Sequence, residues 1–179
     1  MANAKGAALI GLVKFLRKNR DAAAELLPAA QQHYLEQDIR LSSWYPEEDF
    51  VALIRACANL VPGDSDAAIE HMGIVGARAH AEVYGDLLRS VKSNSSVFAL
   101  WSAQHDTGEL RGIWESPTSA RVELVDFAAP SRELCLLAMG YLRGGFQLNG
   151  FEDVSIEKRE CAALGADRCL WRVSWKPRD

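Results

Sequence analysis

The residues with the most chemical potential in this chain are its cysteines. There are four in 179 residues, too few for a disulfide scaffold. Cys57 falls on an apolar helical stripe with Phe50, Leu53, Ile54, Leu60 and Val61, where a small hydrophobe is expected. Cys161 and Cys169 differ, because they flank the loop of a C-terminal hairpin and can meet at one end of it. Cys135 opens an apolar helix that reaches the same place if that helix packs on the sheet. Three such thiolates with one further nitrogen or oxygen donor would suit tetrahedral zinc. The spacing contains no Cys-x-x-Cys pair, so plain reduced core cysteines remain the other reading.

The second constellation is aromatic. Phe98, Trp101, Trp114, Tyr141, Phe146, Trp171 and Trp175 crowd the later part of the chain. Gly112 beside Trp114 on one strand face leaves room that a larger side chain would fill. An apolar pocket with one or two polar groups is the usual form of a small-molecule site. The candidate lining is Phe98, Trp101, His105, Trp114, Met139 and Ile156; the competing reading is an aromatic core filled by itself.

Common catalytic motifs are absent. Gly140, Gly144 and Gly145 interrupt a helix rather than joining a strand to one, and there is no Gly-Lys-Ser/Thr phosphate loop. No Gly-x-Ser-x-Gly elbow occurs. His71 and His80 are nine residues apart and lack a zinc-protease arrangement. The glycines 73, 76, 140 and 144 read most simply as positions of close helix contact. No acid or base can be assigned a catalytic role, so the chain is read as non-enzymatic.

The elements that must position these groups follow from periodicity. Leu9, Ile10, Val13 and Leu16 recur at helical spacing, with Lys14, Arg17, Lys18 and Arg20 following as a basic, solvated face. Pro46 followed by Glu47, Glu48 and Asp49 opens a helix, the acids complementing its dipole. Pro62-Gly63-Asp64 separates it from a long helical run reaching about residue 91, and a shorter helix is expected over 94–104. From Asp106-Thr107-Gly108 the period changes to two. Residues 110–115 and 120–127 read as a hairpin, and Pro130 opens an apolar helix ended by Asn149-Gly150. Residues 154–161 and 169–175 form a second hairpin. The expected fold is therefore α+β: a helical N-terminal half packed on a four-stranded, mainly antiparallel sheet with a buried crossover helix. The whole of 1–179 is expected to form one domain, helical over 1–105 and hairpin, helix, hairpin over 106–175.

Composition narrows the class. Hydrophobic residues make up 49% and charged residues 25%, with 20 basic against 24 acidic groups and a net charge of −4. Such a balance fits a soluble globular chain and opposes sequence-independent nucleic-acid binding. No run reaches the roughly 18 apolar residues of a membrane span. A cytoplasmic protein with reduced thiols is expected.

The run Glu160-Cys161-Ala162-Ala163-Leu164-Gly165-Ala166-Asp167-Arg168-Cys169, with Trp171-Arg172-Val173 after it, resembles the end of the 4-vinyl reductase domain. That domain belongs to the superfamily of haem-NO-binding domains and TRAPP vesicle-tethering subunits. The resemblance is clearest from Gly108 to Trp175. The helical half, with Trp44-Tyr45-Pro46, is similar to a myxobacterial family of unknown function. The resemblance implies a sensor of phenol-like effectors with structural zinc on Cys135, Cys161 and Cys169, and Lys158 stands where its glutamate ligand is expected. It also implies that Trp114 lines the effector pocket, with His105 the nearest candidate for its hydrogen-bonding histidine. No Tyr-x-Ser-x-Arg triad is found, so no haem is expected. The leading expectation is a regulatory domain that binds a small hydrophobic ligand and signals through a homodimer or partner. The alternative is a TRAPP-like scaffold with a self-filled core.

Overall fold

The computed structural model describes residues 2–84 and 101–177. The expected α+β architecture is present, and it divides into a helical layer and a sheet layer that share one helix. A short strand, β1 (Asn3–Lys5), leads into α1 (Gly6–Lys18) and α2 (Arg20–Leu26). A 3-10 segment over Ala29–Leu35 follows, then β2 (Trp44–Pro46), α3 (Glu47–Leu60) and α4 (Ser65–Tyr84). Residues 101–104 are helical. The sheet is built from β3 (Glu109–Ser116), β4 (Ser119–Val125), β5 (Ser155–Glu160) and β6 (Cys169–Ser174), with α5 (Arg132–Leu148) between the hairpins.

The sheet order is β3-β4-β6-β5, antiparallel at every pairing. The two hairpins meet through β4 and β6, and α5 makes the crossover. Its inner face carries Val122, Leu124, Cys169, Trp171 and Val173, all buried. The helical core is built from the predicted stripes: Leu9, Val13 and Leu16 of α1, and Phe50, Leu53, Ile54 and Cys57 of α3. The basic side of α1 is solvated, except that Arg17 Nη2 donates to Tyr34 O at 3.0 Å.

Two features depart from the sequence reading. The N-terminus and residues 44–46 form a two-stranded antiparallel ribbon in which Ala4 opposes Tyr45. Strands of three residues are too short to show alternation, so pattern cannot reveal them. Pro28 interrupts the helical run that Asp21 begins, as its sequence position implies, but the segment that follows is a 3-10 helix over Ala29–Leu35 rather than an α-helix. Of the helix expected over 94–104, only 101–104 lie within the described residues.

α4 and α5 approach until backbone meets backbone. A Cβ added at Gly73 would stand 2.1 Å from Leu137 O, and one at Gly140 would stand 1.7 Å from Glu70 O. Gly144 faces Ala77 Cβ at 2.8 Å. Ion pairs rim the crossing: Arg143 with Glu70 at 2.6 Å, and Arg132 with Asp66. The first turn of α5 is capped by Ser131 Oγ, which accepts from Leu134 N at 3.1 Å.

Gly140→Ala should cost about 3 kcal/mol or more in denaturant unfolding, because the added methyl meets main chain that cannot give way. Gly11→Ala, with nothing within 4 Å of the new methyl, should instead gain up to about 1 kcal/mol from helix propensity.

Candidate functional site: an apolar cavity and a buried thiol cluster

The helical layer encloses an apolar cavity of about 580 Å³ between α1, α3, α4, α5 and helical residues 101–104. Its walls include Phe50, Met72, Leu134, Leu137, Tyr141 and Leu142, and its mouth carries the exposed Phe15, Val61 and Val75. The cavity persists because small residues stand where bulk would close it: Ala8, Gly11, Ala68, Gly76, Ala79 and Ala138 all line it.

Few polar groups face this space. His80 Nδ1 lies 3.0 Å from Tyr141 Oη, and burial lowers its pKa, keeping the ring neutral. Gln104 is 6% exposed and its Oε1 has no hydrogen-bond partner. His105, 8% exposed, follows the helical turn and bridges to Ala4 of the N-terminal ribbon. Its Nδ1 sits 3.2 Å from Oε2 of Glu47, the fully buried first residue of α3. A carboxylate only accepts, so the ring donates through Nδ1 and Nε2 is left for a further partner. The Trp101 ring stacks on the imidazole at 4.0 Å, and its Nε1 donates to Thr107 O at 3.0 Å. Asn3 adds two bonds to the Asp106 carboxylate, at 2.7 and 2.6 Å, fixing the next residue as well. The imidazole is thus held by Glu47 at its edge and Trp101 on its face.

The predicted pocket residues divide. Trp101 and His105 line the cavity; Phe98 lies outside the described residues. Trp114 does not line it. The Trp114 ring packs with Phe146, Phe151 and Trp175 at centroid distances of 5.1 to 6.1 Å, in a region filled by its own side chains. Ile156 is buried in the sheet-side core, and Met139 packs against that core from α5. Glu47 and Gln104 were not singled out in the sequence. Glu47 reads there as an ordinary first-turn acid, and nothing local signals a partner 58 residues away.

The second cluster lies on the other side of α5. Cys135 Sγ is 3.8 Å from Cys161 Sγ and 3.2 Å from Cys169 Sγ, and the three sulfurs all lie within 4.8 Å of one another. All three residues are buried. The Ala162 N–H donates to Cys169 Sγ at 3.4 Å, and the Lys158 ammonium contacts Cys135 and Cys161. The Cys135 thiol donating to Cys169, aided by that N–H and ammonium, lowers the Cys169 pKa to about 6. Cys135 shifts upward, as donor to Cys169 and through burial. A bulge between Lys158 and Glu160 does re-aim β5, yet no glutamate joins the sulfurs. Glu160 binds Arg168 at 3.0 Å and Glu157 binds Arg159 at 2.6 Å.

No family model matches the sequence, and no curated protein does. Solved structures do match the fold. An H-NOX protein from S. oneidensis in its Fe(II)NO state aligns at a TM-score of 0.69 and 14% identity, over 96% of this chain and 99% of that one. An oxygen-binding H-NOX domain related to soluble guanylate cyclases, in its oxygen complex, aligns at 0.68 and 14%, over 96% and 95%. A structure probing haem distortion in the H-NOX family gives 0.69 and 14%, over 98% and 96%. The likeness is one of fold.

These matches correct three expectations. The structures that match are H-NOX domains rather than 4-vinyl reductase or TRAPP proteins, and the likeness of fold runs through the helical half as well as the part from Gly108 to Trp175. The zinc expectation borrowed from that resemblance falls with it. The exclusion of haem also falls, because proteins of this same architecture are described with haem, and a missing sequence triad does not outweigh that. Among the described residues no helix is long and apolar enough to cross a membrane.

A thiolate absorbance titration should show one group ionising with a midpoint of about 6. Replacement of Cys169 by Ser should remove that step, whereas Cys57→Ser should leave it, since burial pushes the Cys57 thiol up to about 12.

Proposed function

We propose that this chain is a non-catalytic sensory domain whose ligand occupies the cavity between the helices. The observation that carries the reading is a large apolar space addressed by just a few oriented polar groups, above all Gln104 and the Glu47-anchored His105. A cavity of about 580 Å³ falls within the range of small-molecule sites. The ligand class it favours is a small, mainly apolar or aromatic molecule that places one polar group at Gln104 and His105. A change in the cavity is passed on through a second copy of the chain or a partner protein.

The fold of the matching structures raises haem as an occupant, and the cavity meets that group in part. The walls suit the faces of a porphyrin, and His105 Nε2 is a nitrogen donor whose other ring nitrogen is anchored by a carboxylate, a common support for metal-binding imidazole. The two haem propionates need cationic or donor partners. Among the described lining residues there is no lysine or arginine. The described residues do not complete a haem site.

The test is a thermal-shift screen of the reduced chain against neutral aromatic and aliphatic molecules, with hemin as a separate arm. A ligand at a hundredfold its Kd should add about 2.7 kcal/mol to stability. His105→Ala and Leu137→Trp should each abolish the shift, the first by removing the polar contact and the second by filling the space. A Soret band that is lost in His105→Ala would identify haem as the occupant. No stabilisation by any arm would overturn the reading.

A further inference from the structure

The thiol cluster has a coordination number built into it. Its sulfurs come from three elements: the first turn of α5, the residue after β5, and the start of β6. The three sulfurs all lie within 4.8 Å of one another, close enough to share one central atom. The remaining side is taken by Lys158, which pairs with Trp171 across β5 and β6 and therefore faces inward. An ammonium has donors and no lone pair, so it cannot ligate a metal. Both neighbouring glutamates are committed to arginines on the outer surface. Among the described residues, no histidine or carboxylate joins the three sulfurs.

A d10 divalent ion such as zinc prefers four ligands, and structural sites supply all four from protein. Three soft thiolates without a fourth donor suit a different class of centre: a thiophilic ion that forms three bonds and carries a lone pair on its fourth side. We infer that Cys135, Cys161 and Cys169 form a three-coordinate site for a trivalent thiophilic centre, with arsenite as its simplest probe. The inference is independent of what occupies the apolar cavity.

The chemistry balances without an oxidant or reductant. Neutral arsenous acid meets the three sulfurs; each As–O bond breaks as an As–S bond forms. Each hydroxyl leaves as water, taking the proton of its thiol or, where the sulfur is already a thiolate, a proton from solvent, giving three waters. The bound centre itself carries no net charge. The lone pair of the bound centre points to the side that Lys158 occupies.

The experiment is a titration of the full, reduced chain with sodium arsenite, followed by desalting. One arsenic per chain should be retained, and the thiols titratable without added reductant should fall from four to one, the survivor being Cys57. Cys57→Ala should bind as well as the parent chain. Lys158→Met should also bind, because the ammonium is not a ligand. Cys135→Ala, Cys161→Ala and Cys169→Ala should each retain no arsenic, with circular dichroism reporting whether they fold; the thiol count on the parent chain decides the matter even if they do not. Four titratable thiols after arsenite, or loss of binding in Cys57→Ala, would overturn the inference. So would one zinc per chain that excess arsenite fails to displace.

Discussion

The contact on which the rest depends is the main-chain approach of α4 to α5. Gly73 and Gly140 each lie against a carbonyl of the opposite helix at a separation that no side chain permits. Gly73, Leu137 and Tyr141 belong both to that crossing and to the cavity wall. The glycines therefore do two things at once. They lock one side of the cavity by close packing, where dispersion contacts are densest, and they seat α5 on the sheet at a fixed height. Arg143 to Glu70 and Arg55 to Glu133 tie α5 to α4 and to α3, adding direction more than energy because both pairs are partly exposed.

Within that frame the polar economy is strict. The cavity is apolar except at a few places, and the best-organised of these is His105. Its support is distributed: Glu47 from α3, Trp101 from the preceding turn, Ala4 from the ribbon. Glu47 Oε1 and Gln104 Oε1 are buried without hydrogen-bond partners, which is costly in a folded core. The ribbon of β1 and β2 thus has a clear role. Through Ala4 it holds the histidine backbone.

Much of this was readable in the sequence, and the reasons for the rest are physical. The order of hairpin, helix and hairpin follows from clear changes of period. The meeting of Cys161 with Cys169 follows from hairpin closure, and the arrival of Cys135 follows once α5 covers the sheet. The position of the cavity did not follow. Aromatic crowding pointed to Trp114, yet Trp114 packs with Phe146, Phe151 and Trp175 and does not line the helical cavity. The true space lies between helices lined by alanine, glycine and aliphatic residues. Sequence periodicity reports which face of a helix is buried and says nothing about whether neighbouring faces touch. The Glu47–His105 pair was invisible for a related reason, since it joins elements whose approach is set by tertiary packing alone.

Leu134 and Cys135 are consecutive on α5, yet Leu134 lines the apolar cavity while Cys135 meets the sulfurs. Successive helical side chains point about 100° apart, so one helix supplies wall to both compartments. Any substitution that shifts α5 is therefore felt in both.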